Sequence, residues 1–306
     1  MVLFWHYQRN RGNHMTASGT EARHPASTGL HARSGGDVLG ILLQAQVSAL
    51  AALEAALPAL ERAAEAAGAA LRRGGKLGYA GAGSSGLMAL ADCLELAGTF
   101  GIAPERTPMM FAGGAEALLH LKGSVEDDPA LALADLDRAG LAAGDVILCL
   151  SASGRTPYAL AIATAAQERG VTVAGFANVA GSALLERADI PVLIETGAEV
   201  VSGSTRMGAA TAQKVALNML SVLVAIRLGH VHDGYMVNLV ADNIKLVDRA
   251  ARIVAAVAGV TRDEAEVALS RTGGAVKPAI LVARGMASDT AEARLAETGG
   301  LLAPLI

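Results

Sequence analysis

The stretch KLGYAGAGSSGLMALADCLEL, residues 76–96, joins a short apolar run to a glycine- and serine-rich turn and then to a long apolar segment. This order predicts a buried β-strand, a tight loop and a helix whose first N–H groups border the loop. The loop GAGSSG, residues 81–86, matches the G-x-G-x-x-G pattern of dinucleotide-binding folds. The next predicted strand ends in Ala112-Gly113-Gly114, without the carboxylate that would bind a ribose, which disfavours a dinucleotide. A simpler alternative is that Ser84 only caps the helix.

A second loop of the same kind, SASGRTP at residues 151–157, follows another apolar run and precedes another helical segment. Its three hydroxyl side chains and several N–H groups would lie at the positive end of a helix dipole, an arrangement that binds anions such as phosphate. Here too the alternative is a plain capping turn, with Thr156 as the cap. Because ligands of open α/β sheets bind at the carboxyl ends of the strands, the two loops together predict a ligand that carries a phosphate group.

Apolar runs alternate with helical segments through the middle of the chain, which predicts βαβ units and a parallel sheet. The predicted strands are residues 76–82, 108–112, 145–150, 171–176 and 190–194. An alanine- and leucine-rich stretch before them, residues 37–73, predicts one or two helices with a break at Pro58. We divide the chain into an irregular N-terminal arm (1–36), an α/β domain (37–240) and a small C-terminal region of three or four helices (241–306).

Composition narrows the class of protein. Hydrophobic residues make up 52% of the chain and the net charge is -4, which allows a sizeable core and argues against nucleic acid as a partner. The apolar run 215–226 is shorter than a membrane span, so we expect no membrane association. Cys93 and Cys149 lie in apolar contexts and are predicted to be buried free thiols of a cytoplasmic protein. His230 and His232 would share one face of a strand, but no further ligand in the sequence completes a metal site.

A third segment, GAEVVSGSTRM at residues 197–207, leads into a long apolar helix. Together with GAGSSG and SASGRTPY, and with AATAQK and LNMLS further on, it resembles the N-acetylmuramic acid 6-phosphate etherases, which are related to the glucokinase regulatory protein. The similarity runs from about Thr20 to near the C-terminus. It implies an α/β fold, a three-layer α-β-α sugar-isomerase (SIS) domain with a five-stranded parallel sheet, plus a small C-terminal helical region. It also implies a homodimer that uses neither a metal nor a redox cofactor.

The resemblance further implies that two glutamates carry the chemistry, Glu95 as the acid and Glu126 as the base. The residues expected to bind the sugar phosphate are Ser84, Ser85, Ser151, Ser153, Gly154, Thr156, Glu199 and Ser204. The chain departs from the family at Leu87, where arginine is common, and at Gly208, where lysine is usual. These departures remove two candidate contacts to an anionic ligand.

The residues around the two glutamates give separate expectations. Glu95 has the apolar neighbours Leu90 and Leu94, so we expect its carboxylate to be partly buried with a raised pKa. Glu126 lies in an acidic run with Asp127, and the residues alone favour a solvated charge there.

The implied reaction removes lactate from the sugar. An ether oxygen leaves poorly, but once the ring opens to the aldehyde the C2 proton is α to a carbonyl group. One carboxylate can remove that proton while the other protonates the departing lactate oxygen on C3, and water then adds at C3. The products are N-acetylglucosamine 6-phosphate and D-lactate. Two alternatives share the phosphate loops: an aldose–ketose isomerase, which needs one carboxylate, and a non-catalytic sugar-phosphate-binding regulator, which needs neither.

Overall fold

A computed structural model describes residues 19–121, 123–239, 241 and 244–306 of the chain. Its central strands are β1 (Leu77–Gly81), β2 (Met109–Phe111), β3 (Val146–Leu150), β4 (Thr172–Ala177) and β5 (Ile190–Leu193). They form one parallel sheet in the order β2-β1-β3-β4-β5. All five predicted strands are confirmed, with their ends displaced by no more than one residue.

Helices cover both faces of the sheet because each buried strand alternates its side chains between two hydrophobic cores. Along β3, Val146, Leu148 and Leu150 belong to one core, whereas Ile147 and Cys149 belong to the other. The helices are α1 (Gly35–Ala51), α2 (Leu53–Arg72), α3 (Gly83–Phe100), α4 (Gly114–Ala117), α5 (Pro129–Ala139), α6 (Pro157–Glu168), α7 (Ala183–Arg187) and α8 (Gly208–Arg227). The first core includes α2, α3 and α8, and the second includes α5, α6 and α7. The predicted three-layer α-β-α fold is confirmed.

The break between the first two helices differs from the prediction. α1 and α2 meet at Ala52 with a bend of 47°, and Pro58 lies inside α2, so the predicted break at Pro58 is wrong. A proline ring clashes with the carbonyl group four residues earlier and therefore disturbs the backbone that precedes it. The bend on the N-terminal side of Pro58 agrees with that direction.

By length and composition, α8 passes for a membrane span among the described residues, as does the bent α1–α2 pair if it is counted as one segment. In this fold α8 packs against α2 and α3, and 56% of its apolar window is buried. The apolar sequence of α8 is therefore that of a core helix. Cys93 on α3 and Cys149 on β3 are buried and unpaired, as predicted.

After α8 the chain forms a short antiparallel hairpin of β6 (Val231–His232) and β7 (Tyr235–Met236), which the sequence analysis did not predict. Four helices follow, α9 (Ile244–Ala258), α10 (Arg262–Arg271), α11 (Val276–Ala283) and α12 (Ser288–Glu297), and confirm the helical C-terminal region. They enclose a hydrophobic core of their own, drawn from residues 237–302. The boundaries 1–36, 37–240 and 241–306 stay a prediction, and residues 1–18 of the arm lie outside the described residues.

Candidate functional site

The loop between β3 and α6 holds three hydroxyl groups close together. The Oγ of Ser151 lies 2.8 Å from the Oγ1 of Thr156 and 3.4 Å from the Oγ of Ser153. Thr156 occupies the N-cap position of α6, but its side chain makes no capping hydrogen bond, so the alternative of a plain capping turn is wrong. We call Ser151, Ser153 and Thr156 the hydroxyl cluster. It lies at the positive end of α6, whose first N–H groups are not capped by the Thr156 side chain and can bind an anion.

Gly154 gives this loop its shape. Its φ angle of 63° is in the left-handed region that favours glycine, and a Cβ atom there would collide with the hydroxyl group of Ser182. The N–H group of Leu184 donates to the carbonyl oxygen of Gly154 at 3.0 Å. The contribution of Gly154 to the predicted site is therefore through its backbone.

The loop between β1 and α3 brings a strand and a helix into close backbone contact. A Cβ atom on Gly81 would lie 2.9 Å from the Cα of Gly86, so only a side chain as small as hydrogen fits. No side chain caps α3, whose N-cap position is Ala82, so the simpler alternative in which Ser84 only caps this helix is wrong. Ser84 is half-buried and Ser85 is buried at the first turn. The N–H groups of that turn remain without a side-chain acceptor.

Glu126 lies over the start of α3. It belongs to a 3₁₀ turn, Gly123–Asp127, that packs against α6. A Cβ atom on Gly83 would come within 2.6 Å of the Oε1 of Glu126, so the carboxylate is directly above the loop. Burial raises the pKa of the Glu126 carboxyl group, and the neighbouring Asp127 charge raises it further. The Glu126 carboxylate is therefore half-buried, whereas the residues alone favoured a solvated charge.

These parts meet at the carboxyl edge of the sheet. Gly81 pairs in register with Leu150, the residue before the hydroxyl cluster, so the two loops are neighbours. They flank the point between β1 and β3 where the strand order reverses, which is the usual ligand position in open α/β sheets. We call this place the β1–β3 crevice. The structure brings together here Ser84, Ser85, Glu126 and the hydroxyl cluster.

Glu95 does not reach this crevice within one chain. It lies on α3 about 18 Å beyond Gly83 along the helix axis, at 1.5 Å per residue, and its side chain is exposed. The prediction that Glu95 is partly buried is wrong. Its neighbour Leu94 is itself 69% exposed, whereas Leu96 points into the core. Apolar residues adjacent in a helical sequence point in different directions, so they do not show that the residue between them is buried.

A buried carboxylate that was not predicted from the sequence, Asp92, lies one turn before Glu95. Asp92 accepts hydrogen bonds from the hydroxyl group of Tyr79 (3.0 Å), the amide group of Asn218 (2.9 Å) and the hydroxyl group of Ser221 (2.9 Å). Burial raises the pKa of Asp92, and these donors oppose that effect. The network joins β1, α3 and α8. The signal for it was that Asp92 falls on the apolar stripe of α3.

The side chain of Glu199 caps the N-terminus of α8. Its buried carboxylate accepts the N–H groups of Gly208 at 3.0 Å and Ala209 at 2.8 Å, one on each oxygen. Ser204 is half-buried in the same loop, with its N–H group bonded to the carbonyl oxygen of Val201. The protein's own helix therefore engages Glu199, and the ligand-binding roles of Glu199 and Ser204 stay a prediction.

The histidine pair has no metal-site geometry around it. Within the described ranges, no group of three or more His, Cys, Asp or Glu side chains is arranged to hold a metal ion. Burial, with a smaller effect from Lys277, lowers the pKa of His230 to about 4, so its ring is neutral at physiological pH.

Comparisons with known proteins identify the family and the fold of this chain. Residues 44–178 match the family model of the SIS domain. The N-acetylmuramic acid 6-phosphate etherase of Deinococcus radiodurans is 41% identical over 265 residues, which is 87% of this chain and 87% of that protein. The etherase of the same name from Serratia proteamaculans is 40% identical over 86% of this chain and 89% of its own length. The chain belongs to the N-acetylmuramic acid 6-phosphate etherase family. The predicted resemblance is thereby confirmed.

A solved structure supports the fold of this etherase-family chain. A phosphoheptose isomerase from Francisella tularensis superimposes with a TM-score of 0.50 and covers 63% of this chain and 100% of its own. The two sequences are 20% identical, so the likeness concerns the SIS fold alone.

The two positions that depart from the etherase family have different surroundings. Leu87 is half-buried in the second turn of α3. At Gly208, a Cβ atom would lie 3.1 Å from the Cβ of Ala49 and 3.2 Å from the Oε2 of Glu199, which is tight packing. The glycine therefore lets the start of α8 approach both α1 and the Glu199 carboxylate closely.

Proposed function

We propose that this protein is a lyase that cleaves the D-lactyl ether of N-acetylmuramic acid 6-phosphate to N-acetylglucosamine 6-phosphate and D-lactate. The names of relatives at 38–41% identity over most of the chain support this substrate. The observation that carries the proposal is the half-buried carboxylate of Glu126 above Gly83, next to the hydroxyl cluster.

The hydroxyl cluster binds the 6-phosphate in this proposal. Three hydroxyl groups and the uncapped first turn of α6 offer hydrogen-bond donors to one anion. The Gly154 backbone shapes that loop, and Ser84 and Ser85 contact the sugar next to it. Glu199 and Ser204 act at the edge of the crevice, where Glu199 fixes the start of α8. Binding of the remote phosphate positions C2 and C3 for the reaction.

Glu126 is the base and Glu95 the acid in the proposed elimination. Glu126 removes the C2 proton of the open-chain aldehyde, the C2–C3 double bond forms, and the C3–O bond to lactate breaks as Glu95 donates a proton to that oxygen. Water then adds across the double bond, with its hydroxyl group on C3 and its proton on C2. The raised pKa of Glu126 makes it a stronger base than an ordinary carboxylate. These steps need an acid and a base, so they require neither a metal nor a redox cofactor.

A homodimer supplies the acid from the second subunit. Glu95 is too far along α3 to act on a sugar in the crevice of its own chain, but it is exposed next to an apolar surface. Four large apolar side chains of this surface, the α3–α8 face, are exposed: Leu94, Met219, Val222 and Ile226. The three α8 side chains lie on one surface, and exposed apolar area of this kind marks a protein interface that a twofold dimer would bury against its own copy. The dimer therefore places Glu95 of each subunit at the crevice of the other.

A charged substitution on the α3–α8 face tests whether this face forms the dimer interface. Val222→Asp is expected to convert the protein to a monomer in sedimentation velocity and to abolish lactate release, with inorganic phosphate still bound by the crevice. Val267→Asp is the matched control, because Val267 is similarly exposed but lies on α10. A Val222→Asp protein that remains dimeric would contradict the use of this face.

The two free cysteines support a cytoplasmic location. Cys93 and Cys149 are free and buried, which suits the reducing cytoplasm, and we place the enzyme there.

Direct assay tests the activity. Purified protein incubated with N-acetylmuramic acid 6-phosphate is expected to release D-lactate, detected with a D-lactate dehydrogenase. The Deinococcus radiodurans relative under the same conditions is the positive control. No lactate from this protein, with lactate from the control, would contradict the proposed reaction.

A further inference from the structure

A cavity of about 650 Å³ lies far from the β1–β3 crevice, between the end of α3 and the C-terminal helices. Its walls include Gly101, which follows α3, Asn238, and the glycine pairs 273–274 and 299–300. α3 starts at the crevice and is about 27 Å long at 1.5 Å per residue, so the two places are separate. The volume is in the range of small-molecule sites.

A buried ammonium group lines this cavity. Lys277 is 7% exposed, and its Nζ donates a hydrogen bond to the carbonyl oxygen of Gly300 at 2.8 Å. An ammonium group has three donors, and in the described part of the chain no carboxylate oxygen lies within 4.0 Å of Lys277. Burial lowers the pKa of Lys277 to about 8. A buried charge with so few partners is unfavourable unless a counter-ion joins it.

Among the described residues, the rest of the wall adds donors and no negatively charged side chain. None of the described lining residues is an aspartate or a glutamate. The first turn of α11, from Val276, borders the cavity, and Ala275 at its N-cap position supplies no side-chain acceptor. The backbone N–H groups of that turn and the Lys277 ammonium group therefore favour the same kind of ligand, an oxyanion.

We propose that this cavity binds a small oxyanion, the phosphate or carboxylate group of a metabolite, with Lys277 as its ionic partner. The site goes beyond the proposed lyase reaction, which needs only the crevice. Its occupant neutralises Lys277 and joins α11 to the turn after α12. Binding is therefore expected to stabilise the C-terminal helical region against unfolding.

Isothermal titration calorimetry and thermal unfolding separate this site from the crevice. The probes are inorganic phosphate and D-lactate, one for each anion class. In the wild-type protein, and in a Ser151→Ala/Ser153→Ala/Thr156→Val variant that lacks the hydroxyl cluster, at least one probe is expected to bind and to raise Tm. When Lys277→Met is added to the hydroxyl-cluster variant, that binding is expected to weaken about tenfold or more, as loss of a charged hydrogen bond does.

The controls keep the two proposals distinguishable. Lys245→Met removes an exposed lysine of α9 and is expected to change nothing, and Lys277→Arg is expected to retain binding because it keeps the charge. The cavity proposal is overturned if the hydroxyl-cluster variant binds neither probe, or if binding is the same with Lys277→Met. The first result needs no change at Lys277, so it stands even if that variant does not fold. Either result leaves the lactate-release test of the crevice unaffected.

Discussion

The two loops that flank the β1–β3 crevice have similar sequences but carry different polar groups. Both follow a buried strand, both are rich in glycine and serine, and both open a helix whose N-terminus has no side-chain cap. In the β3–α6 loop the hydroxyl groups hydrogen-bond to one another. In the β1–α3 loop a distant carboxylate, Glu126, lies against Gly83. We therefore propose that the first loop binds the phosphate and that the second loop, whose carboxylate repels an anion, carries out the proton transfer.

The largest effect is expected from removing the carboxylate of Glu126. Glu126→Gln should lower the rate of D-lactate release by about 10²- to 10⁴-fold, the usual contribution of a general base. Its affinity for inorganic phosphate, measured by calorimetry, should be unchanged or higher because a nearby negative charge is removed. Glu116→Gln is the control, since Glu116 is exposed on α4. Loss of phosphate binding in Glu126→Gln would show that the two loops do not divide the work in this way.

A smaller effect is expected from the hydroxyl cluster. Ser151→Ala removes the hydroxyl group that contacts both Thr156 and Ser153, and should raise KM about tenfold or more with a lesser change in kcat. Steady-state kinetics with varied substrate gives both constants. Thr164→Val, which removes a hydroxyl group on α6 outside the loop, should leave them unchanged. A fall in kcat at constant KM would place Ser151 in the chemical step instead.

The smallest expected effect is a shift in the pH dependence of activity. The base must be ionised to act, so activity should rise with pH through the pKa of Glu126, which burial and Asp127 raise. Asp127→Asn removes the neighbouring charge and leaves the burial of Glu126 in place. The acid limb of the kcat/KM profile should therefore move to lower pH, but stay above the pH expected for an ordinary glutamate. The exposed Glu292→Gln on α12 is the control and should leave the profile in place. A shift to higher pH would contradict the assignment of Glu126 as the base.

The fold could be predicted because its signals are local. Apolar runs and the glycine and hydroxyl residues between them located every strand of the sheet and both loops. The position of Glu126 is different, since its contact with Gly83 joins residues distant in sequence. The residues alone favoured a solvated charge, and the expectation of a catalytic role came from the family resemblance.

Three features show what sequence periodicity does not resolve. Glu95 is exposed although its neighbours are apolar, because each helical residue points in its own direction. Asp92 falls on the apolar stripe of α3, but the three donors that its carboxylate needs there lie on other elements and have no local signal. Lys277 is buried by tertiary packing that no local pattern of charges indicates. In each case the side chain's environment comes from elements distant in sequence.

The most direct test of the composite site mixes two inactive proteins. Glu95→Gln and Glu126→Gln should each release lactate about 100-fold more slowly than the wild type, or slower still, as pure dimers. After unfolding and refolding together, random pairing makes about half of the dimers mixed, and each mixed dimer has one intact crevice, with Glu126 from one subunit and Glu95 from the other. We predict recovery of about a quarter of the wild-type rate per subunit. If mixed dimers form and no activity returns, the two glutamates do not act across subunits, and the account of the site is contradicted.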